Sequence, residues 1–188
     1  MPDRKNPKTI HHEHRGKSSE SVVDKNAILA HLMIMPGEAV LDAGCGNGYM
    51  TKQFAQLTGI TGTVFALDPD PLAIEHLKAE TNDGVIEPFI GDITKKTKLA
   101  TASIDVIYVS TVIHGFSQPQ MEGFRKEVKR LLKPNGRLAI VEIKKEDTPF
   151  GPPIDIRYSA EDLKQTIGLT PKSTIDVGQY FYMQLFEK

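Results

Sequence analysis

At 188 residues the chain is long enough to bury one sizeable core, and no shift in composition separates two domains. Charged residues make up 25% of it and nearly cancel to a formal net charge of −1, so no basic field exists to hold a nucleic acid backbone. The single cysteine excludes an intrachain disulfide and no run approaches the ~18 apolar residues that would span a bilayer, so a cytoplasmic protein with no membrane partner is expected.

The first seventeen residues are polar, rich in Lys, Arg and His, and carry no apolar period; residues 1–17 read as a flexible His-rich segment ahead of a single domain over 18–188. From Ser18 to Met33 the residues Val22, Ile28, Leu29, Leu32 and Met33 recur at helical spacing, with serines available as N-cap, and Met35-Pro36-Gly37 ends the helix. EAVLDAG then reads as a strand, GYMTKQFAQL as a helix with Met50, Phe54 and Leu57 on one face, TVFALD as a strand, and PLAIEHLKAE as a helix opened by Pro71. VIEPFIGD and SIDVIYVST are the third and fourth strands. QMEGFRKEVKRLLK is a helix with a stripe of Met121, Phe124, Val128, Leu131 and Leu132, and Pro134-Asn135-Gly136 turns into a fifth strand, RLAIVEIK. The central strands are almost continuously apolar, as in a parallel sheet covered on both faces, so the fold class is α/β with an open doubly wound sheet. After a short helix capped by Ser159, two strand-like runs separated by Gly178 suggest an antiparallel hairpin at the sheet edge.

In such sheets ligands bind beyond the carboxyl ends of the strands, and the first strand-to-helix turn holds Gly44, Gly46 and Gly48. Glycines there let a ligand lie against the backbone, beside the N–H groups that open the next helix. Asp68 ends the second strand, twenty residues beyond Gly48, where a carboxylate accepts ribose hydroxyl hydrogens. A nucleoside-containing ligand follows. The third glycine of a G-x-G-x-x-G dinucleotide fingerprint would fall at Tyr49, which weakens the pyrophosphate reading.

Together VLDAGCGNGYMT (40–51), VFALDPDP (64–71), the GDI of 91–93, IDVIYVSTVIH (104–114) and LLKPNGRLAIVE (131–142) resemble the class I S-adenosylmethionine-dependent methyltransferases, closest to the small ubiquinone/menaquinone-biosynthesis-like group. The resemblance runs from about Pro36 to the C-terminus. It implies a Rossmann-like seven-stranded sheet in the order 3-2-1-4-5-7-6, its last strand antiparallel, and S-adenosyl-L-methionine as cofactor. It also implies that Gly44, Gly46 and Gly48 line the methionine part, that Asn47 between them belongs to the cofactor-binding residues, that Asp42 organises the loop and approaches the amino group, and that Asp68 holds the ribose. Pro69 and Ile93 would flank the adenine, Asp92 would bond its amino group, and Ser110 would reach the methionine end.

Three readings of function follow: methyl transfer to a small-molecule acceptor; a protein that binds the cofactor or its demethylated product without catalysis, as a sensor or interaction module; and, third, a nicotinamide-dependent oxidoreductase. Cys45 reads as packing within the turn, since neither a base nor a thiol-lowering charge is evident beside it. The run His11-His12-Glu13-His14 reads as a solvated tail, a lid or, least of all, a metal ligand set; it lacks a complementary cluster, and no metal is expected. His14, Arg15, His114, Glu142 and Arg157 are the substrate-pocket candidates, joined by Phe150, Asp155 and Tyr158 in the Pro-rich connection after the fifth strand. His114 is the candidate base; its imidazole would take a proton from an oxygen or nitrogen nucleophile, or only shape the pocket. Asp105 lies at the wrong end of its strand for catalysis and reads as a turn or cap residue.

Overall fold

The computed structural model describes residues 22–81 and 84–188. The elements run α1 (Lys25–Leu32), β1 (Ala39–Ala43), α2 (Tyr49–Thr58), β2 (Thr63–Asp68), α3 (Pro71–Glu80), β3 (Ile86–Ile90), β4 (Ile104–Ser110), α4 (Gln118–Leu131), β5 (Leu132–Ile143), α5 (Ala160–Ile167), β6 (Thr170–Asp176) and β7 (Phe181–Glu187). They build one seven-stranded sheet in the order β3-β2-β1-β4-β5-β7-β6. The first five strands pair in parallel, while β7 is antiparallel to both β5 and β6. Thus β7 enters between β5 and β6, and β6 becomes the edge.

Local chemistry fixes the helix starts. The Asp70 side chain accepts from Leu72 N–H ahead of Pro71, while Ser117 with Gln120 and Ser159 with Asp162 form reciprocal capping boxes. The sheet separates two apolar layers: α1, α2 and α3 pack on the face that holds Val40, Val64, Val106 and Val141, and α4 and α5 on the face that holds Leu41, Ile107, Val109 and Ile140. Ile104, Val106, Ile107 and Val109 of β4 are fully buried, and each contributes about 1.5–3 kcal/mol of hydrophobic stabilisation.

The first helix differs from its sequence reading. It begins at Lys25 and is capped by Asp24, whose side chain accepts from Ala27 N–H, in place of a serine. The chain just ahead is drawn away from helical geometry, because Asp24 N–H donates to Val177 C=O at 2.6 Å in the β6–β7 connection. Val22 and Met33 are therefore exposed, and Met33 is the left-handed residue that ends the helix. Leu57 also points outward, and Thr51 and Thr58 take the inner positions of α2 with Met50 and Phe54. The Pro134–Gly136 turn lies within β5, where the pairing with β4 shifts register. At the amino end of β4, Asp105 accepts from Ala39 N–H at 2.8 Å and pairs with Lys133 at 2.6 Å, a terminus-binding role.

Candidate functional site

Parallel pairing brings the carboxyl ends of β2, β1, β4 and β5 to one edge of the sheet. Gly44 and Cys45 N–H groups both donate to Leu67 C=O, at 2.7 and 3.1 Å, folding the turn after β1 onto the end of β2. Gly44, Gly46 and Gly48 all have positive φ. A Cβ on Gly44 would stand 2.6 Å from Val112 Cγ2, so the segment after β4 packs directly on the turn. A Cβ on Gly46 would meet nothing within 4 Å, which marks the open side of the cradle.

Asp68 is braced from two sides: Gly46 N–H donates to its Oδ2 and Asp70 N–H to its Oδ1, both at 2.9 Å. Each oxygen keeps a further lone pair for a ligand. The buried Asp42 carboxyl accepts from the Thr51 hydroxyl at 2.6 Å. Burial pushes its pKa up to about 7, against the Thr51 hydrogen bond and with help from the Asp68 charge. Among the described residues no basic side chain pairs with either carboxyl. A ligand rich in donors and carrying positive charge fits this set, as a ribose with an amino and a sulfonium group does.

The remaining expected cofactor residues surround the turn in varied states. Asn47 is exposed and its side chain accepts from Tyr49 N–H at 3.2 Å, while Pro69 is exposed beyond Asp68. Asp92 accepts from Thr94 N–H and hydroxyl; burial raises its pKa, but the Thr94 and Lys95 interactions outweigh that and hold it below the usual carboxylate value. Ile93 is buried in the core on the α4 side. The Ser110 hydroxyl is buried at the end of β4 with the Tyr108 hydroxyl as its neighbour, and it meets no partner at full hydrogen-bond geometry. Next to it Thr111, a β-branched residue, holds φ 55, a conformation that costs on the order of 1–3 kcal/mol. Cys45 is buried, and burial, aided by the Asp42 and Asp68 charges, pushes its thiol well above the usual range, the opposite of nucleophile activation.

Beyond β4 and β5 lies a second group. Glu142 has no exposed surface; its Oε1 accepts from Ile113 N–H at 3.0 Å and its Oε2 lies 2.8 Å from His114 Nδ1. His114 lines a cavity of about 440 Å³ with Phe116, Lys145, Asp155, Tyr158 and Asp162. Spacing showed neither the His114–Glu142 pair nor its orientation, since 28 residues separate the two. Arg157 also borders this cavity, but its guanidinium donates to four carbonyls, those of Lys144, Glu146, Phe150 and Pro152. It ties the connection after β5 together, and its donors are committed there. His14 and Arg15, with the whole 1–17 segment, lie outside the described residues. Among the described residues no group of three His, Cys, Asp or Glu is arranged to hold a metal, and no helix is long and apolar enough to cross a membrane.

The methyltransferase domain family matches residues 40–136, just over half the chain. An uncharacterised methyltransferase of Synechocystis sp. is 29% identical over 68% of this chain and 58% of its own length. The ubiquinone/menaquinone biosynthesis C-methyltransferase UbiE of Burkholderia mallei is 26% identical over 82% of this chain and 62% of its own. The chain thus spans about three-fifths of the length of these relatives. A crystal structure of an S-adenosylmethionine-dependent methyltransferase from Aquifex aeolicus superposes with a TM-score of 0.80 at 26% identity, covering 90% of this chain and 92% of that one. With the strand order and the braced glycine turn, these matches establish that the chain belongs to the class I S-adenosylmethionine-dependent methyltransferases.

Proposed function

We propose that this protein transfers the methyl group of S-adenosylmethionine to a small-molecule acceptor. The observation that carries the reading is Asp68, held by Gly46 N–H so that the glycine turn and the ribose acceptor form one preorganised unit. When bound, the cofactor supplies a methyl group already activated on a sulfonium. The chain's task is then to bind and orient. Asp68 accepts the ribose hydroxyls, Asp42 and the Gly44–Gly48 backbone receive the amino-acid end, and the buried Ser110 hydroxyl reaches the same end. Asp92 takes the adenine amino group, with Pro69 and Ile93 on either side of the ring. Holding an acceptor in line with the methyl–sulfur bond accounts for several kcal/mol of the barrier, on the order of the effective-molarity gains of intramolecular reactions.

A small acceptor fits the open cavity of about 440 Å³ beside His114, and the near-zero net charge speaks against nucleic acid. One sheet with a core on each face supports reading 18–188 as a single domain, and the lone Cys45 supports a reducing cytoplasm. The test is titration calorimetry with S-adenosylmethionine on the parent and Asp68→Asn, followed by transfer of radiolabelled methyl to candidate acceptors. Each charge-assisted hydrogen bond contributes about 1.5–3 kcal/mol, so the substitution is expected to weaken binding roughly tenfold or more. Unchanged affinity would remove Asp68 from the site. Tight binding with no transfer to any acceptor would instead favour a sensor.

A further inference from the structure

The buried pair at the ends of β4 and β5 reaches further than cofactor binding. A carboxylate only accepts hydrogen bonds, and both Glu142 oxygens are engaged: Oε1 by Ile113 N–H and Oε2 by His114 Nδ1. An ionised Glu142 therefore fixes the proton of a neutral His114 on Nδ1 and leaves Nε2 as the basic nitrogen. No described residue bonds Nε2, and the ring is only partly exposed, at the wall of the 440 Å³ cavity. His114 is also close to the cofactor turn along the chain, since Val112, two residues before it, packs against Gly44. The positive φ of Thr111 and a 3-10 turn over Ile113–Gly115 set the ring's approach.

We propose that His114 Nε2 is the proton acceptor in methyl transfer, that Glu142 positions it, and that the acceptor presents a weakly acidic hydroxyl of the phenol or enol kind. The inference rests on the methyltransferase reading of the same cleft. In the step, the hydroxyl proton passes to Nε2, and the oxygen's electron pair forms the bond to the methyl carbon. The methyl–sulfur pair goes to sulfur, so the positive charge that was on the sulfonium ends on the imidazolium. That cation then faces the Glu142 carboxylate. Cavity size falls within the range of small-ligand sites; Phe116, Ile156 and Tyr158 offer apolar wall, and Lys145 and Asp162, paired at 3.0 Å, a polar one.

Three measurements test this on the full chain. The first is nitrogen-15 NMR of His114 in the presence of S-adenosylhomocysteine, where the neutral ring is expected in the Nδ1–H tautomer, a state that Glu142→Gln disturbs without abolishing cofactor binding. An Nε2–H tautomer in the parent protein overturns the proposal without reliance on any variant. The second compares phenol with 4-nitrophenol as methyl acceptors in mildly alkaline buffer, where only the nitrophenol is largely ionised. His114→Gln is expected to lower transfer to phenol by about 10²–10⁴-fold, the usual range for a positioned base, and transfer to 4-nitrophenolate far less. Equal losses on both acceptors, or no transfer to either by the parent, overturn it. The third is calorimetry with S-adenosylmethionine on parent and His114→Gln. Equal, tight binding is expected; absence of binding by the parent would sink the methyltransferase reading itself, whereas tight binding with the wrong tautomer sinks only the base.

Discussion

Asp42 carries a cost that the fold accepts at its ligand site. Its carboxyl has a pKa of about 7 in the native chain, against a reference of 3.8, chiefly because burial disfavours the charge. Between those values the unfolded chain loses the proton while the folded chain keeps it. The folded state therefore binds more protons, and stability falls as pH rises from about 4 to about 7, then levels off. Asp42→Asn keeps an oxygen to accept from Thr51 but removes the titration. Urea unfolding at about pH 5 and pH 8 should show a loss in the parent that the variant lacks, on the order of 2–3 kcal/mol. Parallel pH profiles in the two proteins would mean that Asp42 is ionised throughout. At this scale the sequence was informative where spacing is local: the glycines of 44–48 and the acid at the end of β2 could be paired from one turn and one strand length. It was silent on Glu142 with His114 and on Arg157 with its four carbonyls, because those contacts depend on which strands become neighbours.

Helix α4 shows how an element's own preferences can be overruled by what it packs on. Gly123 lies in its interior, where glycine costs about 0.5–1 kcal/mol relative to alanine. A Cβ at that position would stand only 2.0 Å from Thr94 C=O, backbone that cannot swing aside as a side-chain end could. Gly123→Ala is therefore expected to destabilise by about 1–3 kcal/mol despite its better helix propensity, read from the urea midpoint. It should also weaken cofactor binding, because Thr94 donates twice to Asp92. A gain in stability would show that the close approach yields easily. The apolar stripe from Met121 to Leu132 made this helix legible, but its partner Thr94 lies 29 positions upstream of Gly123, beyond any periodicity. In α1 the same limit worked in reverse: the stripe drawn through Val22 followed a real period into a stretch that the Asp24–Val177 hydrogen bond takes out of the helix.

At the scale of the molecule, the family match ends at residue 136, whereas the sheet is completed only by the hairpin of β6 and β7. Strand β7 serves both cores. Phe181, Met183 and Leu185 join the layer under α1, α2 and α3, while Tyr182 and Phe186 join the layer under α4 and α5. Burying five such side chains at about 1.5–3 kcal/mol each amounts to on the order of 10 kcal/mol, comparable to the whole net stability of a domain, about 5–15 kcal/mol. The strand also reaches the cleft. Tyr182 pairs with Glu142 across the sheet, and its hydroxyl donates to Tyr158 C=O at 2.7 Å, beside the cavity that His114 lines. A chain cut after Gly168 keeps every expected cofactor residue, yet it leaves β5 as an open edge and uncovers both cores. It is expected to lose cooperative unfolding and near-ultraviolet dichroism, to expose apolar surface to a reporter dye, and to bind S-adenosylhomocysteine weakly or not at all. If the shortened chain instead melted cooperatively and bound the ligand within a few-fold of the full chain, the glycine-turn half would be an autonomous unit and the hairpin a dispensable addition. The shared side chains of β7 argue for the first outcome, in which the site's geometry belongs to the closed sheet and not to the motifs alone.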